Sequence, residues 1–297
     1  MGMKIFGLIG YPLRFSLSRW MMMEVARREN LDISYHTFPI KPERLQQGIK
    51  ALLALKIQGF QVTHPFKEKI LPLLTDIEPE ALSIGAVNTV VIQPDATMIG
   101  YNTDEYGFEK ALEGWLKRSG LALPGQGIIL GTGGASRAVA SALLRRLISP
   151  VFISRGSRGE LFVGNQKCPV YPYSELSLFL RQPAILVNAT PLGAYPDVHG
   201  MPPVPIQALT PEHLVYDLNY YPPSTRLMEE AKKRGSPVEN GLSMLFHQGA
   251  RSLEVWTGTS VAGTFLQVYQ EIQEGRLGYP APLTRATSSS HPEPMGL

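Results

Sequence analysis

The sequence predicts an α/β protein of two domains, each built on an open, mostly parallel sheet with flanking helices. Three observations carry that reading. Short apolar, β-branched runs alternate with segments whose apolar residues recur every three or four positions, the pattern of strands covered by helices. A Gly-, Leu- and Pro-rich stretch at residues 120–127 breaks the alternation, which then restarts with a new strand. The 297 residues, 44% of them hydrophobic, are about twice the ~150 expected of one domain.

In the first unit, strands are expected at residues 4–9, 34–39, 59–63 and 87–93, each a short apolar run between turn formers. Trp20, Met21, Met22 and Met23 fall in a helical stretch and read as core filling. Leu45, Ile49, Leu52 and Leu53 keep a helical period, and a further helix covers 103–119. The second unit opens with a strand at 128–130 and a helix at 135–146. Strands near 151–154 and 185–188, a Pro-rich loop at 196–205, a strand at 215–218 and a helix at 225–234 follow. Residues 159–172 read as a short, turn-rich segment. Two last helical patterns, 242–257 and 261–274, have no strand of their own and are expected to pack back on the first unit. The domains are therefore 1–103 with about 242–275, and 104–241. A polar, Pro-rich tail, 279–297, is expected to be disordered.

Composition excludes several classes of function. With 28 basic and 25 acidic residues, net +3 and no long run of like charge, the chain lacks the footprint of a nucleic-acid or membrane-surface protein. The expected partner is a small molecule, and the expected assembly a monomer or homodimer. A single cysteine, Cys168, rules out an internal disulfide and any Cys-rich zinc site, as in a reducing cytoplasm, and reads as a buried, incidental thiol. No metal site is expected. The apolar stretch at 5–9 is too short for a signal-peptide core, and nowhere do about eighteen apolar residues run uninterrupted. The expectation is a cytoplasmic protein without an anchor.

The segment Ile128-Ile129-Leu130-Gly131-Thr132-Gly133-Gly134-Ala135-Ser136-Arg137-Ala138 is strand, glycine turn, helix. Small residues stand where a backbone must approach a pyrophosphate, and the new helix's free N–H groups would face the phosphates, so the second domain is expected to be Rossmann-like. Alone, such a turn also occurs where nothing binds. The next strand should end about twenty residues on, where an acid would grip the adenosine 2′-hydroxyl. Here the sequence reads Ser154-Arg155-Gly156-Ser157-Arg158. Two arginines and two hydroxyls suit a 2′-phosphate better, which favours NADP over NAD; the alternative is that these are ordinary surface arginines.

Four short motifs stand out in the first half: Ser16-Leu17-Ser18, Val62-Thr63-His64-Pro65-Phe66-Lys67, Gly85-Ala86-Val87-Asn88-Thr89 and Tyr101-Asn102-Thr103-Asp104. Each lies past a strand or at a helix start, where ligands of open α/β sheets gather. As lone residues they have other readings: Lys67 could snorkel, Asp104, Ser16 and Ser18 could cap helices, and Asn88 could brace a loop. His64 alone reads as structural. Taken with the glycine turn, with Asn188 to Gly193, Tyr216 to Tyr220 and Gly241 to Gln248, the set resembles the shikimate dehydrogenase family over almost the whole chain up to about Gly258.

That resemblance implies reversible reduction of 3-dehydroshikimate to shikimate with NADPH, in aromatic amino-acid biosynthesis. It places the catalytic lysine and aspartate at Lys67 and Asp104. It places the substrate carboxylate at Ser16, Ser18 and Tyr220, and the ring hydroxyls at Thr63, Asn88 and Gln248. The coenzyme falls to Gly131, Thr132, Gly133, Gly134, Ala135, Ser154, Arg155, Arg158, Thr190, Leu218 and Gly241. The chemistry agrees, because hydride arriving at a ketone leaves an alkoxide, and a positioned ammonium supplies both charge and a proton there. The sequence is compatible both with Lys67 transferring that proton and with its chiefly stabilising charge.

The chain also departs from the family pattern. Gln61 stands where asparagine is usual, His64 where an aliphatic residue is usual, and Ser154 where asparagine is usual; residues 159–172 lack the usual helix. Rival readings are a broader quinate/shikimate dehydrogenase and a non-catalytic NADP sensor, which would be expected to lose Lys67 or Asp104. A folate dehydrogenase on a similar scaffold would place tyrosine four residues before the lysine, where Thr63 stands.

Overall fold

The computed structural model describes residues 2–281 except 14 and 279, so nearly all of the expected tail lies outside the described residues. Its first half runs β1 (Lys4–Gly10), α1 (Ser18–Arg28), β2 (Ile33–Pro39), α2 (Leu45–Ala54), β3 (Gly59–Val62), β4 (Asp76–Ile77), α3 (Pro79–Ile84), β5 (Thr89–Ile92) and β6 (Met98–Tyr101). These six strands form one sheet in the order β2-β1-β3-β5-β6-β4. Pairings β1–β2, β1–β3 and β4–β6 are parallel, whereas β5 runs antiparallel to both β3 and β6. The sequence reading missed β4, α3 and β6, because elements of two to six residues carry too little periodicity to register.

The chain then continues α4 (Asp104–Ser119), β7 (Gln126–Leu130), α5 (Gly134–Arg145), β8 (Ser149–Ser154), β9 (Gly159–Val163), β10 (Gln166–Pro172), α6 (Leu176–Phe179), β11 (Ile185–Asn188), β12 (Leu214–Asp217), α7 (Arg226–Lys233), β13 (Val238–Asn240), α8 (Leu242–Thr257) and α9 (Ala262–Gln273). The second sheet has the order β13-β12-β11-β7-β8-β10-β9. Six parallel strands give the doubly wound Rossmann order, and β9 adds an antiparallel edge to β10. The expected linker ends earlier than read, since Gln126 and Gly127 already belong to β7. Residues 159–172 are a β-hairpin: Leu161 packs toward the core while Phe162 is exposed, the period-2 alternation of an edge strand.

The central strands of this sheet are apolar at nearly every position because both faces are covered. Ile129, Val187 and Tyr216 join the cluster under α4 and α5, whereas Ile128, Leu130, Leu186 and Val215 join the one under α6 and α7. On the first sheet, Phe6, Leu8 and Tyr35 pack with Met21 and Met22 of α1 and with Leu242, Phe246, Leu253 and Phe265 of α8 and α9. The last two helices therefore cover the first sheet. Cys168 is buried, and burial pushes its thiol pKa up.

Candidate functional site

A cleft of about 790 Å³ opens between the two sheets. Its floor comes from the ends of β1 and β3, from the loop after β3 and from the starts of α4 and α5; α8 closes one side. Lys67 Nζ lies 2.5 Å from Asp104 Oδ2. The pair is largely withdrawn from water, with side-chain exposures of 16% and 6%. Asn88 Nδ2 donates to the other carboxylate oxygen, Oδ1, at 2.8 Å. Asp104 is not the cap of α4. The N-cap residue, Thr103, makes no side-chain cap bond either; the free donors are met from one residue earlier by Asn102, whose Oδ1 accepts from the backbone N–H of Asp104 at 3.0 Å and of Glu105 at 3.3 Å. The Asp104 carboxylate is thereby free to face the cleft, in the first turn of a 16-residue helix whose N-terminus favours negative charge.

Two glycines let the pieces meet. A Cβ on Gly107 would come within 2.8 Å of Gln248 Cβ and 2.9 Å of Met244 O, so α4 and α8 cross closely enough to face Asp104 and Gln248 into the same space. A Cβ on Gly134 would come within 2.7 Å of Lys67 Cβ and 3.1 Å of Ala86 Cβ. The glycine turn therefore rests directly on the lysine stem.

The polar lining is ordered by its own hydrogen bonds. Asn88 Oδ1 accepts from the Thr103 backbone N–H at 2.7 Å, which fixes its amide with Nδ2 toward Asp104. Ser16 Oγ accepts from the Ser18 N–H at 3.2 Å, so Ser16 serves the start of α1 while also lining the cleft beside Ser18 and Thr63. Tyr220, from the loop after β12, reaches across to Ser16. Burial raises its phenol pKa, while bonds from the Leu17 backbone and the Ser16 hydroxyl lower it. Phe15, with its ring 5.2 Å from that of Tyr221 and 6.4 Å from that of Tyr195, adds an aromatic contact across the same rim. His64 lines the cleft as well. Burial, with Lys69 and Lys67 nearby, lowers its pKa.

On the side of the second sheet, the turn after β7 passes through Gly131 at φ 103°, a left-handed conformation that glycine adopts without strain. Gly133, Gly134 and Ala135 line the cleft, as do Thr190, Leu218 and Gly241, whereas Gly131 and Thr132 sit behind them in the turn. A Cβ on Gly133 would meet nothing closer than Glu68 Oε1 at 3.9 Å, so backbone there is open to an approaching group. Gly241 is tight instead, since a Cβ would stand 1.9 Å from Leu218 O. Ser136 Oγ, buried at the head of α5, has no hydrogen-bond partner among the described residues. Open backbone, a 12-residue helix N-terminus and an orphaned hydroxyl together fit a dinucleotide pyrophosphate.

Ser154, Arg155 and Arg158 lie outside the lining of the cleft, at the end of β8, whose Ile153 carbonyl accepts from Gly131 N–H at 2.8 Å. Ser154 Oγ accepts from Gly156 N–H at 3.2 Å. Arg158 already has partners: Nε bonds Glu175 Oε1 at 2.7 Å, Nη2 bonds Oε2, and the guanidinium sits 5.4 Å from the Tyr171 ring centroid. Arg155 is exposed and makes no such bond among the described residues.

Residues 8–90 match the family model described as the shikimate dehydrogenase substrate binding domain. Over 265 residues the chain is 36% identical to the shikimate dehydrogenase (NADP(+)) of Desulforamulus reducens, covering 86% of this chain and 90% of that protein. The chain belongs to the shikimate dehydrogenase family. Among solved structures, shikimate dehydrogenase 1 from Peptoclostridium difficile superposes with a TM-score of 0.80 at 33% identity, over 93% of this chain and 100% of that one. The shikimate 5-dehydrogenase of Thermus thermophilus, solved in complex with NADP(H) and shikimate, gives 0.72 at 31% identity, over 89% and 99%.

Sequence reasoning overlooked several residues that organise this family site. Tyr35, Glu68 and Phe15 occur in no motif, and Asn219, though it lies within the Tyr216 to Tyr220 motif, received no role there; their parts emerge only from the packing of segments distant in sequence. Asn219 Nδ2 donates to the carbonyls of Thr190 at 3.1 Å and Leu192 at 3.2 Å, and its own N–H bonds Asp217 Oδ1 at 3.0 Å. Asp217 also accepts from Asn188 Nδ2 and Thr225 Oγ1, so one buried carboxylate ties together the loops on that wall. Burial raises its pKa to about 6 against the pull of those hydrogen bonds. No cluster of potential metal ligands occurs among the described residues, and no helix there is long and apolar enough to cross a membrane.

Proposed function

We propose that this chain is an NADP-dependent shikimate dehydrogenase that interconverts 3-dehydroshikimate and shikimate. The observation that carries the reading is the Lys67–Asp104 pair, 2.5 Å apart in a water-poor cleft and packed against the glycine turn. Residues 1–103 with 242–275 would form the substrate-binding domain, and residues 104–241 the coenzyme-binding one. Gly133, Gly134 and Ala135 with the N-terminus of α5 would hold the pyrophosphate, with Gly131 and Thr132 shaping the turn, and Thr190, Leu218 and Gly241 would wall the nicotinamide. Ser154 and Arg155 would meet the adenosine 2′-phosphate, with Arg158 beside them. The bound coenzyme supplies or takes up the hydride.

The chain's own residues do the rest. Ser16, Ser18 and Tyr220 bind the substrate carboxylate through hydroxyl donors and so fix which ring carbon faces the coenzyme. Thr63, Asn88 and Gln248 hold ring hydroxyls. During reduction the Lys67 ammonium stands at the substrate oxygen, stabilises its developing negative charge and donates a proton; in the reverse direction the amine receives it. Asp104, aligned by Asn88, keeps that ammonium in place and accepts a hydrogen bond from a neighbouring hydroxyl. The reading places the enzyme in the cytoplasm, as a monomer or homodimer. A spectrophotometric assay with shikimate and quinate, each with NADP and NAD, tests it. Turnover is expected to be fastest with shikimate and NADP; quinate with NAD as the faster pair, or no turnover at all, would overturn it.

A further inference from the structure

We infer that Gln61 is a positioning residue that turns the amino end of Gln248 toward the substrate, and that Tyr35 holds Gln61 in the orientation this requires. The inference rests on the shikimate dehydrogenase reading. Gln61 and Gln248 both line the cleft yet are nearly inaccessible, at 3% and 6% exposure. Gln61 Nε2 donates to Gln248 Oε1 at 2.7 Å and to Ser252 Oγ at 3.1 Å, while Gln61 Oε1 accepts from the Tyr35 hydroxyl at 2.6 Å.

The polarity of this chain of bonds is forced from its far end. Ser252 Oγ donates to the Gln248 carbonyl at 2.9 Å, so toward Gln61 it can only accept. Gln61 must therefore present its nitrogen to Ser252 and Gln248, and its oxygen to Tyr35. Gln248 Nε2 likewise donates to the Leu245 carbonyl, an acceptor, at 2.8 Å. Its Oε1 is then committed to Gln61 Nε2, with Asn88 Nδ2 a longer 3.5 Å away. What remains of the Gln248 amide is one Nε2 hydrogen without an acceptor among the described residues. A substrate hydroxyl held at Gln248 must accept from it. Without a donor at residue 61, Gln248 Oε1 would lose its short hydrogen bond in a site closed to water, and the amide would lose its defined direction.

The test is steady-state kinetics on the whole protein at saturating NADP, using shikimate and a series of shikimate analogues, each lacking one ring hydroxyl. For the unaltered enzyme, one analogue should lose about tenfold or more in kcat/KM, as expected when a site built to bond a hydroxyl meets its absence. Gln61→Leu should raise the KM for shikimate about tenfold, leave the KM for NADP within about twofold, and reduce the penalty for that analogue to about threefold or less. Gln61→Glu, equal in length but unable to donate when ionised, should do the same, and Tyr35→Phe should act in the same direction more weakly. Should the leucine variant fail to fold, the glutamate and phenylalanine variants carry the test. Unchanged discrimination among the analogues in the folded variants, or an equal loss for every substrate and for the coenzyme, overturns the inference. If the unaltered enzyme does not turn over shikimate with NADP, it is the functional reading itself that fails.

Discussion

Removing the Lys67 ammonium tests the proposed mechanism most directly, because the part proposed for that group in catalysis can be read apart from its part in stability. Lys67→Ala deletes a charge and a proton donor, whereas Thr63, Asn88 and Gln248, proposed to bind the ring, stay in place. The expected loss is about 10²–10⁴ in kcat with substrate KM within about threefold, equivalent to about 3–5 kcal/mol of transition-state stabilisation. The same change strands the Asp104 carboxylate. With 6% of its side chain exposed, it retains Asn88 Nδ2 at 2.8 Å and the N-terminal field of α4, so the stability cost should be about 1–3 kcal/mol, below that of a wholly orphaned charge. Adding Asp104→Asn to Lys67→Ala should recover most of that stability and none of the rate. Initial rates with shikimate and NADP, beside thermal melts of both variants, give the two readouts. A folded Lys67→Ala protein whose kcat stays within tenfold of the unaltered enzyme would refute the role assigned to the ammonium.

Three further outcomes follow from the geometry. Arg155→Ala should lower kcat/KM about tenfold or more with NADP and little with NAD, and Arg158→Ala should do much less, since Glu175 already holds that guanidinium; equal losses for both coenzymes in Arg155→Ala would remove the phosphate assignment. Asp217, with a carboxyl pKa raised from 3.8 to about 6, binds its proton more tightly folded than unfolded. Its contribution therefore falls by about 3 kcal/mol as pH climbs through that window, and Asp217→Asn should flatten the 4–6 limb of a stability–pH profile; an unaltered limb in urea melts would count against it. Gly134→Ala should disturb coenzyme binding and turnover together, because the new methyl meets the Lys67 stem at 2.7 Å; a variant with unchanged kinetic constants would show that the turn does not set the lysine.

The elements that sequence made legible are those whose physical signal is local and repeated. The paired burial of β7, β11 and β12 produces continuous apolar runs, and the turn at Gly131 to Ala135 announces itself because close backbone approach demands small residues. What escaped was either short or relational. The strands β4 and β6 are too brief to show a period, and the hairpin β9–β10 reads as turns because Gly159 opens, and Gly164 follows, a strand of only five residues. Lys67, Asp104 and Asn88 stood out through their motifs, whereas Tyr35 sits in a strand whose alternation marks it only as core. Its hydroxyl matters through Gln61, which is 26 positions away in sequence.

The same distinction explains why Asp104 could be read as a cap from sequence and not from structure. A helix start offers several free N–H groups, and an aspartate there has two occupations open to it: satisfying those donors or turning outward. Asn102 settles the matter by accepting from two of them itself, at 3.0 and 3.3 Å, and by donating its Nδ2 to the Ala86 carbonyl at 2.8 Å, which anchors it to the loop that carries Asn88 into β5. Capping by a neighbour releases the carboxylate, and Asn88 then aims it. The close Lys67–Asp104 pair thus depends on the amides of Asn102 and Asn88, which place the carboxylate. Asn102→Ala should accordingly leave α4 short of a cap, costing about 1 kcal/mol, and should lower kcat by more than a cap alone explains. Rates that track stability alone across Asn102→Ala and Asn102→Asp would show the cap and the placing of the Asp104 carboxylate to be independent.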